Sequence, residues 1–127
     1  MSLLASLHSW VKSEMHELAV TESILKIAIE HAERAGADRI MAVHLVIGDL
    51  SSIVDESVEM YFQLLAAATI ASGASLQFHR VKTKLRCRVC GGEYAPDGGA
   101  WICPHCGAAD SLVEAGREFF VESIEVP

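Results

Sequence analysis

Cys87-Arg-Val-Cys90 and Cys103-Pro-His-Cys106 are two C-x-x-C pairs separated by twelve residues, and they contain all four cysteines of the chain. Each pair predicts a tight knuckle whose two sulfurs turn inward. Two facing knuckles complete a tetrahedron of thiolates around a metal ion. Gly91 and Gly107 follow the two pairs, where a knuckle requires backbone without a Cβ. The spacing therefore predicts a four-cysteine metal site.

Two disulfides or free thiols are the alternative interpretation of the same cysteines. The first ten residues include a short apolar stretch but no preceding basic segment, so they make a poor signal peptide. No apolar run reaches the roughly 18 residues that a membrane span needs. Because disulfides are rare in a reducing compartment, we expect a cytoplasmic protein that uses its cysteines for metal.

The length of 127 residues predicts one domain, or one domain with a small insert. We expect an α/β domain of the α+β kind, with a three-stranded sheet and two helices, formed by residues 15–85 and 111–127. Residues 86–110 are predicted to be a zinc-ribbon insert. Residues 1–14 do not fit the pattern that follows, and we interpret them as a leader or extension; an amphipathic helical turn is the alternative.

The hydrophobic pattern predicts the elements of this domain. Apolar residues at three- and four-residue steps indicate helices, and β-branched runs indicate strands. Asp55 or Ser52 is expected to cap the second helix, and a bend is expected after Arg80, where the apolar register changes. The predicted helices cover 17–35 and 55–71, and the predicted strands cover 40–47, 74–86 and 117–126.

The formal net charge of −7 argues against general nucleic-acid binding. Five of the ten basic residues nevertheless alternate along one extended stretch. Three interpretations stay open: a solvated face that offsets the negative metal centre, a docking stripe for an acidic partner, or a contact to a phosphate backbone. The members of this basic row are Arg80, Lys82, Lys84, Arg86 and Arg88.

His16 is the histidine without an obvious structural role. It precedes Glu17 at the N-terminus of the first predicted helix. The helix dipole favours the acidic side chain there but gives no reason for the imidazole. An imidazole beside a carboxylate and backbone nitrogens suits Ni(II) or Cu(II). By contrast, His44 interrupts an apolar strand and is expected to be satisfied or half-exposed rather than a ligand, and His79 is expected to be exposed.

No catalytic constellation accompanies these candidates. The sequence has no phosphate-binding glycine loop, no G-x-S-x-G and no H-E-x-x-H motif. A tetrahedral four-thiolate zinc site is closed and offers no position to a substrate. We therefore expect a binding protein and not an enzyme.

From Met15 onward the chain resembles the HypA/HybF family of nickel metallochaperones for [NiFe]-hydrogenase maturation. The likeness consists of several independent motifs in the family's order, including paired C-x-x-C motifs, and it extends over most of the chain. The other matching stretches are Met15-His16-Glu17-Leu18, Ser23-Ile24-Leu25, Ile47-Gly48-Asp49-Leu50-Ser51, Ala68-Thr69 with Ala71 and Gly73-Ala74, Gly116-Arg117-Glu118 and Ser123-Ile124-Glu125-Val126.

The resemblance implies a protein with two metals. Structural zinc would be held by Cys87, Cys90, Cys103 and Cys106, and Ni(II) would bind reversibly at His16, with Glu17. The implied partners are a HypB-type GTPase and the hydrogenase large-subunit precursor. In some bacteria the family also supplies nickel to urease. A homodimer is allowed; no nucleic acid and no membrane are expected.

Two departures from the family pattern bear on the nickel site. Fourteen residues precede Met15, so its nitrogen is an amide rather than the amine that the family commonly uses. Asp49 stands where the family usually has Glu. The cysteine pattern also leaves two other functions open, a rubredoxin-like iron protein for electron transfer and a zinc-ribbon nucleic-acid adaptor.

Overall fold

The computed structural model describes residues 3–10, 17–96 and 101–127. Its described part contains two helices and seven strands. No described helix is long and apolar enough to cross a membrane. In chain order the elements are β1 (Leu3–Trp10), α1 (Glu17–Arg34), β2 (Ala42–Gly48), α2 (Asp55–Ala66), β3 (Ser75–Val81), β4 (Lys84–Cys87), β5 (Glu93–Tyr94), β6 (Ser111–Ala115) and β7 (Phe119–Val126).

The strands form two sheets. The larger sheet has the order β1-β7-β2-β3, in which β2 and β3 are parallel while β7 is antiparallel to both β1 and β2. The smaller sheet has the order β5-β4-β6 and is antiparallel throughout. This confirms the predicted α+β class with two helices.

The core lies between the two helices and one face of the larger sheet. Side chains alternate along a strand, so Val43, Leu45 and Ile47 of β2 share one face, and all three are fully buried. They belong to a single apolar cluster with Ile24 of α1 and Phe62 of α2. Both helices therefore cover the same face of the sheet.

The larger sheet has one strand more than the three that we expected. The additional strand is β1, from the residues interpreted as a leader or extension, and it pairs with β7 from Leu3↔Val126 to Trp10↔Phe120. Without it, β7 would be an edge strand with one row of unpaired backbone groups. The pairing places β7 inside the sheet, as expected for so apolar a terminal strand.

The second helix differs from its prediction at both ends. The residue before α2 is Val54, and no side chain caps the helix; Asp55 instead forms an ion pair with Arg80. The helix ends at Ala66, five residues before the predicted end. The reason is Thr69, whose hydroxyl donates to the Ala66 carbonyl at 2.8 Å and accepts from the Ala71 amide at 3.1 Å.

Replacing Thr69 by Ala is expected to lower the free energy of unfolding by about 1–2 kcal/mol, because the Ala71 amide loses its acceptor and the Ala66 carbonyl loses one of its two donors. Urea denaturation followed by circular dichroism measures the change. Thr69→Ser keeps the hydroxyl and serves as the control, with a smaller expected loss. Equal losses in the two variants would mean that the methyl group, and not the hydroxyl, matters at this turn.

The predicted bend after Arg80 separates the two sheets. Strand β3 ends at Val81 and β4 begins at Lys84. The chain returns to the larger sheet through Gly116, whose carbonyl accepts from the Leu50 amide at 2.8 Å. The smaller sheet thus extends from 84 to 115, slightly beyond the predicted insert on each side.

Candidate metal centre

The four cysteine sulfurs lie within 4.8 Å of one another. The Sγ atoms of Cys87 and Cys106 are 3.5 Å apart, and those of Cys90 and Cys103 are 3.6 Å apart. Zinc with four thiolates at about 2.3 Å has sulfurs about 3.8 Å apart. The site predicted from the sequence is therefore assembled, and its donor set fits a tetrahedral zinc ion.

Two similar knuckles build this site. The Gly91 amide donates to the Cys87 carbonyl at 3.0 Å, and the Gly107 amide donates to the Cys103 carbonyl at 2.9 Å. Both glycines have left-handed backbone, with φ of 75° and 78°. Because a residue with a Cβ is strained in that conformation, the two glycines let each chain segment turn back immediately after its second cysteine.

Backbone amides point at the first cysteine of each knuckle. The amides of Val89 and Cys90 donate to Cys87 Sγ at 3.4 and 3.5 Å, and the His105 amide donates to Cys103 Sγ at 3.4 Å. The Cys90 amide is the main cause that lowers the pKa of Cys87 to about 6. Such donors stabilise a thiolate, the form that binds a metal.

The neighbouring sulfurs have the opposite effect on Cys106. The Ala108 amide lowers the pKa of this thiol, but the three neighbouring thiols, Cys87 first, outweigh it and raise the pKa to about 12. Ionisation of one sulfur therefore opposes ionisation of the next. A divalent cation removes this conflict because its charge stabilises several thiolates together.

One side of the centre is packed and the other faces solvent. Cys87 and Cys103 are buried with Leu85 and Tyr94 in a small apolar cluster, while Cys90 and Cys106 are exposed. The Tyr94 hydroxyl donates to the Trp101 carbonyl at 2.9 Å, which connects β5 to the segment that precedes the second knuckle. The sequence Pro96-Asp97-Gly98-Gly99 predicts a hairpin turn between the knuckles, and this turn lies mainly outside the described residues.

The basic row does not form a continuous free surface. Arg80 pairs with Asp55, Lys84 with Glu93, and Arg88 with Asp110. Among the described residues, Lys82 alone of the row has no ion pair. Since most of these charges are already matched within the chain, the row offers little to an acidic partner or a phosphate backbone.

Within this row, the side chain of Arg86 bonds the backbone of the first knuckle. Its guanidinium donates to the Gly91 carbonyl at 2.8 Å and also bonds Glu93 and Glu114. The bond to Glu114 is the first cause that raises the pKa of Arg86. The sequence showed only its place in an alternating basic row, so this contact with the first knuckle was missed.

Of the two predicted nickel residues, the structure describes Glu17 alone. Glu17 is the first residue of α1 and is partly buried. The hydroxyl of Thr21, one turn later, donates to the Glu17 carbonyl. His16 lies outside the described residues, so its assignment as a nickel ligand stays a prediction.

A family model described as hydrogenase/urease nickel incorporation, metallochaperone, HypA matches residues 15–126. The chain belongs to the HypA family of nickel metallochaperones of hydrogenase maturation. Residues 1–14, which include β1, lie outside the match. The resemblance drawn from the sequence motifs is thereby confirmed.

Curated relatives of this chain are named as HypA proteins. A hydrogenase maturation factor HypA from Dehalococcoides mccartyi is 45% identical over 112 residues, covering 88% of this chain and 94% of the relative. Another from Caldanaerobacter subterraneus subsp. tengcongensis is 39% identical over 113 residues, covering 88% of this chain and 99% of the relative. The HypA relatives therefore align along nearly their whole length.

Solved structures support the fold. The solution structure of the nickel metallochaperone HypA from Helicobacter pylori has a TM-score of 0.61 at 24% identity and covers 88% of this chain and 97% of its own. A second solution structure of a HypA protein has a TM-score of 0.69 at 24% identity and covers 89% of this chain and 97% of its own. The HypA assignment favours neither electron transfer nor nucleic-acid binding, the two alternatives left open by the cysteine pattern.

Proposed function

We propose that the protein binds Ni(II) reversibly at His16 and Glu17 and delivers it during maturation of hydrogenase, with zinc held permanently by the four cysteines. The observation that carries the proposal is the match to the nickel-incorporation family from residue 15 to residue 126, which begins immediately before His16. Nickel is the cargo of this protein, and zinc is its structural ion.

The two sites suit these different tasks. Four thiolates fill the coordination shell of zinc, so the cysteine centre supplies folding energy and rigidity and has no position for exchange. An imidazole, a carboxylate and backbone nitrogens suit the square-planar preference of Ni(II). Glu17 is partly accessible in the first turn of α1, where a cargo ion is able to enter and leave.

The partners follow from the family's task. A maturation factor for hydrogenase must bind the protein that receives nickel, so we propose the hydrogenase large-subunit precursor as the nickel acceptor. We propose a HypB-type GTPase as the partner protein in this delivery. Urease is a second acceptor class, because the family description includes it. We place this work in the cytoplasm and assign the protein no catalytic step of its own.

His16→Ala is expected to remove the nickel equivalent bound at the start of α1 while zinc content and fold persist. Calorimetric titration of the zinc-loaded chain with Ni(II) measures this component, and zinc analysis with circular dichroism checks the rest. His31→Ala, at a partly buried position on the same helix, is the matched control and should leave the titration unchanged.

The same titration on a chain that starts at Met15 tests the effect of residues 1–14. If the amine of Met15 is a ligand, this chain will bind Ni(II) more tightly than the full chain. An undiminished titration after His16→Ala in both chains would show that the proposed nickel site is wrong.

A further inference from the structure

The open face of the larger sheet contains a histidine pair that the family match leaves unexplained. Alternation along β2 places His44 opposite Val43 and Leu45, whose side chains face the helices. By the same alternation His79 of β3 lies opposite Phe78, which packs against the core. Two neighbouring parallel strands thus present imidazoles on the face that the helices do not cover.

Register brings the two rings together. His79 is paired with Val46, two residues beyond His44 on β2, so the histidines are diagonal neighbours. Their rings stack with centroids 5.3 Å apart and planes inclined by 14°. Nδ1 of His44 lies 3.1 Å from Nε2 of His79.

This separation of the nitrogens matches a shared metal ion. Two imidazole nitrogens at about 2.05 Å from one ion, at angles of about 90–109°, are about 2.9–3.3 Å apart. The observed 3.1 Å lies inside that interval. A hydrogen bond between two neutral imidazoles explains the distance equally well, and titration with nickel distinguishes the two.

The environment of the other nitrogen of His44 indicates that Nδ1 is the nitrogen with a free lone pair, available to an ion or to a hydrogen bond. His44 Nε2 has no surface open to solvent and makes no hydrogen bond of ordinary geometry. Oε2 of Glu125, on the other neighbouring strand β7, lies 3.4 Å from it. A carboxylate there favours the tautomer with the proton on Nε2 and leaves the lone pair of Nδ1 directed toward His79. Carboxylate, imidazole and metal in this order recur in protein metal sites.

We propose that His44 Nδ1 and His79 Nε2 form a second, exchangeable site for Ni(II) on the open face of the sheet, with Glu125 as the positioning residue. Imidazole nitrogens suit late divalent metals. Two protein ligands leave positions open to water or to the groups of an acceptor protein. His79 is exposed, so the ion has direct access. The choice of nickel rests on the proposed function, whereas the pairing of donors does not.

Titration of the zinc-loaded full chain carrying His16→Ala tests this site with Ni(II) alone. We expect about one remaining equivalent of bound nickel, lost when either His44→Gln or His79→Gln is added. His31→Gln is the matched control and should keep that equivalent. Glu125→Gln is expected to weaken it about 10- to 100-fold, the usual effect of losing a carboxylate behind a ligating histidine.

Histidine ring resonances provide a readout that a structural role would not move. Sub-stoichiometric Ni(II) is expected to shift or broaden the signals of His44 and His79 together and to spare those of His31. If His16→Ala alone removes all nickel from a folded chain, or if His44→Gln and His79→Gln bind as much as their parent, the rings form only a hydrogen-bonded pair and the inference is overturned. Retained nickel in His16→Ala that depends on His44 would instead support the sheet-face site.

Discussion

Cys87→Ser is expected to abolish zinc binding and to unfold the smaller sheet while the larger sheet and both helices remain folded. Cys87 is buried beside Leu85, Tyr94 and Cys103, so no water replaces the lost thiolate readily. That cluster has four buried residues, too few to hold residues 84–115 together without the ion. Structural zinc contributes about 10–16 kcal/mol in ribbons of this kind.

Hydrogen exchange resolved by segment measures this outcome. Amides in 84–115 are expected to exchange freely in Cys87→Ser, whereas those of β2 and α2 keep their protection, since their apolar cluster is separate from the cysteine cluster. Val89→Ser, at an exposed position in the same knuckle, is the control and should retain zinc. Simultaneous loss of protection in both sheets would show that the chain folds as one cooperative unit.

The sequence predicted the four-cysteine site and helix α1 better than it predicted the pairing of the strands. The four cysteines were predicted to meet because C-x-x-C imposes a local turn, and local geometry needs no knowledge of distant residues. Helix α1 was predicted accurately for a related reason: its buried positions, such as Ile24 and Ala28, repeat at helical steps. Features of this kind are encoded within a few residues.

Features that depend on long-range pairing were missed. The sequence predicted a satisfied or half-exposed His44 and an exposed His79, but only the parallel register places their rings together. The same limit applies to β1, because its partner β7 lies more than a hundred residues later in the chain. A strand's partner and register are set by the whole sheet and not by the strand's own composition.

The contact that joins the two sheets was also beyond sequence reasoning, although its residues belong to recognised motifs. Gly48 ends β2, and its amide donates to the Glu118 carbonyl at 2.7 Å. Gly116 has a φ of 123° and lies directly against Gly48. The close approach excludes a side chain at Gly48, whereas Gly116 is explained by its own positive φ and by Thr83, whose Oγ1 a Cβ there would meet at 2.9 Å. The close approach also makes the junction between the larger sheet and the zinc module sensitive to a single methyl group.

Gly48→Ala is therefore expected to destabilise the protein by about 3 kcal/mol or more. A Cβ at Gly48 would lie 2.0 Å from the Gly116 carbonyl oxygen and 2.6 Å from the Arg117 nitrogen, and both are backbone atoms that cannot rotate away. The chain must separate there, which also breaks the hydrogen bond from Leu50 to Gly116. Urea denaturation of the zinc-loaded protein measures the loss.

Gly73→Ala is the matched control, because it introduces backbone strain without a steric clash. Gly73 has a φ of 77° but open space around its Cβ position, so its replacement is expected to cost only about 1 kcal/mol. Gly48 presents the reverse case, because its backbone lies outside the left-handed region and only the contact with Gly116 forbids a side chain. A loss at Gly48 no larger than that at Gly73 would show that the two sheets separate at little cost. The zinc module would then be attached by its connecting strands rather than by this junction.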